Sequence, residues 1–134
     1  MVQHLEHAAQ CTVIDWIRQM QDAIPELQTV YAVINGAKLP YMRNKKGKRY
    51  SSQALYLLRE GLKPGVPDIA CPFARGGYHA LYIELKIGKN KPTKIQQAMI
   101  DRLIKQGNKV DVCYSADDAI DVIKDYLGIK GVEQ

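Results

Sequence analysis

The chain predicts an α/β domain with a central mixed sheet flanked by helices. Two observations carry this. Helical and extended patterns interleave along the sequence in the order α, β, α, β, β, α, β, α, with no internal repeat, linker or low-complexity stretch between them. At 134 residues, 46% of them hydrophobic, the chain is long enough for one core, so residues 1–134 are expected to fold as a single domain.

Leu5, Ala9, Val13, Trp16, Ile17, Met20 and Ile24 recur at helical spacing before Pro25, predicting a helix over 3–23. Val30-Tyr-Ala-Val-Ile34 is β-branched and aromatic, and Asn35-Gly36 turns the chain behind it. Residues 37–50 have no usable periodicity and are expected to form a basic loop. Ser51 to Glu60 reads as a serine-capped helix stopped by Gly61. Asp68-Ile-Ala-Cys71 opens a strand, Gly76-Gly77 is a hairpin tip, and Tyr78 to Ile87 is the clearest strand of all. Thr93-Lys-Ile-Gln96 is a capping box ahead of an apolar helical run ended by Gly107. Lys109 to Tyr114 alternates as a half-buried strand. Ser115 then caps a last helix through Leu127, with Asp117 and Asp118 near its positive end.

Nineteen basic against fourteen acidic residues give a net charge of +5, which permits a polyanionic partner without naming one. The 25% charged content and ordinary apolar content exclude a disordered chain. Cys11, Cys71 and Cys113 are odd in number and have no metal spacing, so buried, reduced thiols are expected. No apolar run approaches the ~20 residues of a membrane span, and the opening residues lack the pattern of a signal peptide. The expectation is a cytoplasmic protein with no membrane partner.

The chemistry is concentrated in Gly61-Leu-Lys-Pro-Gly-Val-Pro-Asp68 and Glu84-Leu-Lys86. Residues two apart on a strand share a face, so Glu84 and Lys86 stand side by side while Ile83, Leu85 and Ile87 turn to the core. Asp68 lies at the start of a neighbouring strand. Two carboxylates at a strand pair suit Mg²⁺ or Mn²⁺, and an adjacent lysine suits phosphoryl chemistry. Glu84 and Lys86 alone are better explained as a surface ion pair on an amphipathic strand. Asp68 with its Pro-Gly-Val-Pro lead-in tips the reading towards a metal site.

Pro67-Asp68 with Glu84-Leu-Lys86 resembles the signature of the PD-(D/E)XK nuclease superfamily. The longer pattern resembles its VRR-NUC (virus-type replication-repair nuclease) family. It comprises Glu6, Asn35-Gly36, Gly61-x-x-Pro64-Gly65-x-Pro67-Asp68, Ile83-Glu84-Leu-Lys86, Thr93-x-x-Gln96 and Leu103-x-x-Gln106-Gly107 leading to Val110. The resemblance spans residues 5–127. It implies a restriction-endonuclease-like fold and Mg²⁺- or Mn²⁺-dependent cleavage of DNA. Stand-alone members, found in phages, are similar to Holliday-junction resolvases that act as homodimers on branched DNA; a phage-encoded chain would work in the cytoplasm of its bacterial host.

Carried onto this sequence, the resemblance makes Asp68 and Glu84 metal ligands, with the main-chain carbonyl of Leu85 completing the shell. Lys86 becomes the catalytic lysine and Glu6 an acidic contribution from the first helix. Gln10, one turn beyond Glu6, is a candidate support. Gln96 is another, although the capping box explains it structurally. His4, His7 and His79 are expected to be solvated, and Pro64, Gly65 and Pro67 to shape the backbone before Asp68. The segment Arg43-Asn-Lys-Lys-Gly-Lys-Arg49 departs from the family pattern. Its Arg43, Lys45, Lys46, Lys48 and Arg49 put five cations in seven residues, favouring phosphate contact over a merely solvated loop. Tyr41 and Tyr50 beside it suit base stacking or core packing equally. The alternatives are a sequence-specific restriction-type endonuclease of the same fold and a non-catalytic DNA-binding module.

Overall fold

The strands Tyr31–Ala32 (β1), Ile69–Cys71 (β4), Leu81–Leu85 (β5) and Lys109–Cys113 (β6) form one sheet in the order β1-β4-β5-β6. A computed structural model provides the structure, and it describes residues 2–33, 42–43, 49–50 and 52–129. The first two pairings are antiparallel and β5–β6 is parallel, so the sheet is mixed, as expected. A parallel neighbour needs a crossover, and Lys94–Lys105 (α3) supplies it. Val2–Met20 (α1), Ser52–Glu60 (α2) and Ala116–Leu127 (α4) complete the helices.

Several boundaries differ from the sequence reading. Helix α1 stops at Met20, because Pro25 starts a separate 3-10 turn, Pro25–Thr29, that buries Leu27. The segment 37–50 is not a plain loop. Met42–Arg43 (β2) pairs antiparallel with Arg49–Tyr50 (β3), a short ribbon invisible to periodicity because each strand has two residues. The Asn35-Gly36 turn, Tyr41, Lys45, Lys46, Lys48 and the Ser51 cap lie outside the described residues. Helix α2 is amphipathic yet buries none of its residues, leaving Leu55, Tyr56 and Leu58 exposed.

Other local expectations hold. Gly76 and Gly77 take φ of 57° and 88°, the doubly left-handed turn that glycine pairs favour, and Arg75 and Tyr78 exchange backbone hydrogen bonds across it. Thr93 Oγ1 accepts from Gln96 N–H at 3.2 Å while Gln96 Oε1 accepts from Thr93 N–H at 2.9 Å. Ser115 Oγ caps α4 through Asp118 N–H, and Gly128 closes it in the left-handed conformation.

The core is assembled on one face of the sheet. Val13 and Ile17 of α1, Leu27, and Ala119, Ile123 and Tyr126 of α4 enclose Ile69, Cys71, Leu81, Ile83, Leu85 and Cys113. Cys71 and Cys113 are buried thiols, pushed up to about 12 chiefly by burial, whereas Cys11 is exposed, against expectation, because it faces outward from α1. His4, His7 and His79 are exposed, as expected. Tyr126 donates its hydroxyl hydrogen bond to Phe73 C=O at 2.6 Å, and Arg75 pairs with Glu26, so the connection between β4 and β5 is fastened at two points.

One detail sets the register of that hairpin. Arg75 faces Tyr78, but further in Cys71 faces Leu81, out of step by one residue. The extra residue lies in 72–74, where Phe73 N–H folds back to Cys71 C=O at 2.9 Å.

Gly65 adopts φ of 84°, and a Cβ there would lie 2.7 Å from Ile95 Cγ2 and 2.9 Å from its carbonyl oxygen. Gly65→Ala should therefore destabilise the protein by about 1–3 kcal/mol. Gly61→Ala, at φ 113° with open space around it, should cost less. Urea denaturation of the two variants checks the difference.

Candidate active site

Continuing the β4–β5 register by one step from Ile69 opposite Ile83 sets Asp68 directly opposite Glu84. Facing residues of an antiparallel pair share a face, so both carboxylates project away from the α1–α4 core. Lys86 follows on the same face. The structure thus brings together three of the predicted site residues, on the two inner strands.

Burial decides between the readings of Glu84 and Lys86. Glu84 is 2% exposed and Lys86 9%, so they are not a surface ion pair. Lys86 Nζ lies 3.4 Å from Glu84 Oε2. Glu84 Oε1 is buried with no hydrogen-bond partner among the described residues. Burial, then the neighbouring Asp68 carboxylate, push the Glu84 carboxyl up to about 8, and Lys86 only partly opposes them. A dry carboxylate oxygen beside a second carboxylate is costly without a cation.

The Leu85 backbone is drawn into the same arrangement. Lys86 N–H donates to Cys113 C=O of β6 at 2.9 Å, so the backbone groups of Leu85, alternating with it, face β4. There Asp68 Oδ2 accepts the Leu85 N–H at 2.7 Å. The residue opposite Leu85 in this register is Pro67, which has no N–H to give. The Leu85 carbonyl therefore receives no ladder bond from that position. Sequence reasoning assigned Pro67 only a role in shaping the chain; its missing donor is a second effect.

Asp68, Glu84 and the Leu85 carbonyl fit a hard divalent cation, which takes oxygen ligands and would occupy the deficit at Glu84 Oε1. Among the described residues no group of three or more His, Cys, Asp or Glu side chains is poised for a metal, and the carboxylates gathered on this face are Asp68 and Glu84. Glu6 and Gln10 are half-buried one turn apart on α1. The Gln96 side-chain oxygen is committed to the capping box, which accounts for this residue without a place in the site. Arg43 and Arg49 face each other across the β2–β3 ribbon, away in sequence from these strands.

Comparison with known proteins gives the family and a structure of similar fold. The family model for the VRR-NUC domain matches residues 3–117. A solved structure of a VRR_NUC domain protein is similar at a TM-score of 0.70 and 28% identity, over 93% of this chain and 89% of that one. No curated protein matches significantly.

The raised Glu84 carboxyl gives a pH test. Its folded value, about 8, exceeds the ordinary 4.5, so the folded chain keeps a proton that the unfolded chain releases. That contribution to stability is complete below about pH 4.5 and is lost as pH rises through about 8. In chelator, the wild-type Tm should therefore fall more steeply between pH 5 and 8 than that of Glu84→Gln, as calorimetry would read. Parallel curves would contradict the assignment.

Proposed function

The chain belongs to the VRR-NUC domain family, nucleases of the PD-(D/E)XK type that act on DNA, and from this we propose a metal-dependent, structure-selective endonuclease that hydrolyses phosphodiester bonds. The observation that carries the reading is the buried, unpartnered Glu84 oxygen beside Asp68, a deficit of positive charge where a cation would sit. Asp68, Glu84 and the Leu85 carbonyl would hold Mg²⁺ or Mn²⁺. Such an ion, when bound, neutralises phosphate charge and makes its water more acidic.

The remaining work falls to side chains. Lys86, held beside Glu84 by a 3.4 Å ion pair, presents its ammonium on the carboxylate face. From there it orients the attacking water and balances charge that develops on phosphorus oxygens. Asp68 spends one oxygen on the Leu85 N–H, which fixes the carboxylate's orientation and keeps its other oxygen for the cation. Glu6, with Gln10 one turn beyond it, would add an acidic group from the start of α1 outside the metal shell. The cations of 43–49 attract backbone phosphates without reading bases, which suits a branched substrate better than a defined sequence. Holliday-junction resolution, with two cuts on opposed strands, calls for two such sites, and a two-fold homodimer provides them.

Asp68→Asn and Glu84→Gln should each reduce cleavage at least a thousandfold in Mg²⁺ or Mn²⁺, read on duplex, single-stranded, flap and four-way-junction DNA. Lys86→Ala should lower kcat by about 10²–10³-fold, and raising DNA concentration should not recover it. Wild-type cleavage in any of these variants would overturn the role of that residue. Cleavage of linear duplex in preference to the junction would overturn structure selectivity.

Light scattering of the wild-type protein at micromolar concentration, free and bound to a junction, should give the mass of two chains. A monomer in both states would refute the dimer.

A further inference from the structure

The two segments that flank the carboxylate face carry lysines and no acid. Gly61 to Pro67, leading into Asp68, holds Lys63; Leu85 to Ile100, leading out of Glu84, holds Lys89, Lys91 and Lys94 besides Lys86. All four of these outer lysines are exposed. The described ion pairs join Arg75 to Glu26, Lys86 to Glu84 and Lys109 to Asp111, and none engages Lys63, Lys89, Lys91 or Lys94. The acids nearest to them in sequence, Glu60 at the end of α2 and Asp101 within α3, lie just outside the two segments, and neither is joined to one of these lysines in a described ion pair.

The two segments are also locked together. Gly65 packs on Ile95 so closely that a Cβ would not fit, which ties the Lys63 side of the site to the first turn of α3 and so to Lys94. Asn90 N–H closes a turn on Ile87 C=O at 3.2 Å around Gly88, whose φ is 64°. Pro92 and the Thr93–Gln96 capping box hold the rest. These lysines therefore stand on fixed backbone, and like charges held near one another repel unless an anion lies between them. An extended chain spans at most about 3.6 Å per residue, so Lys89 stays within about 11 Å of Lys86. That is about three phosphates along one DNA strand, at about 3.4 Å of axis each.

We propose that Lys63, Lys89, Lys91 and Lys94 form a phosphate track that grips the DNA strand on either side of the reacting phosphate. This rests on the nuclease reading and adds to it a binding surface distinct from the basic segment 43–49. Its ligand is a run of consecutive backbone phosphates, whatever the bases. The track positions the strand, while the carboxylates and Lys86 carry the chemistry.

The test is a quadruple variant, Lys63→Gln, Lys89→Gln, Lys91→Gln and Lys94→Gln, compared with the matching quadruple arginine variant and with wild type. Binding to a fluorescent four-way junction and to a duplex is measured across a salt series, with cleavage assayed in parallel. The glutamine variant should bind about tenfold or more weakly at low salt. Its log–log salt slope should shrink by up to about 3.6, at about 0.9 for each of four lost contacts, and its KM should rise. Arginine should restore binding and slope. Unchanged affinity and slope in a glutamine variant, with wild-type protein cutting DNA, would overturn the track alone. Loss of binding that arginine fails to restore would also overturn it, assigning the lysines a structural role. Wild-type protein that neither binds nor cuts any DNA would overturn the nuclease reading, and the track with it.

Discussion

Two carboxylates facing each other across neighbouring strands, one of them nearly dry, are the constraint around which this fold is organised. Ionised together such groups repel, and Lys86 at 3.4 Å offsets only part of the cost, so without a cation the Glu84 carboxyl keeps its proton up to about pH 8. A cost of this kind pulls against the pairing of the two strands. The pairing is held by the apolar face beneath it, where Ile69, Ile83 and Leu85 are sealed by α1 and α4. The Asp68–Leu85 hydrogen bond then replaces a ladder bond at the point of greatest repulsion. Core packing and site strain are opposite faces of the same two strands.

Much of this was written in the sequence. Glu84 and Lys86 could be assigned to one face because strand period is local, and the Thr93–Gln96 capping box, the Gly76-Gly77 turn and the Ser115 cap are short-range patterns that the structure reproduces. The meeting of Asp68 with Glu84 was expected only as a consequence of adjacent strands. Counting outward from the Gly76-Gly77 tip would set Asp68 against Leu85, on the wrong face. The fold-back at Phe73 inserts the one residue that corrects this, and no periodicity announces it.

Burial of Lys86 and Glu84 was equally hard to foresee, since it depends on what covers the face rather than on the strand itself. The ribbon of β2 and β3 escaped notice for a simpler reason: pairs of residues are too short for an alternating pattern. Exposed Cys11 shows the limit of composition as a guide, because its position on α1, not its type, decides its surroundings. Pro67 shows the reverse. A residue read as a stiffener also withholds an N–H, and that absence leaves a carbonyl available beside the carboxylates.

The margins of the sheet have a consequence for the protein in concentrated solution. Strand β1 offers only two residues at one border, and β6 at the other carries Lys109 and Asp111 locked in an ion pair of 3.0 Å. A stretch of two residues gives an incoming strand little backbone to bond, and a charged border penalises the apolar segments that nucleate fibrils. Neither described border is a good template for runaway strand addition. The sheet can therefore keep its strained middle without advertising its edges, and crowding should favour a dissolved chain over an ordered aggregate.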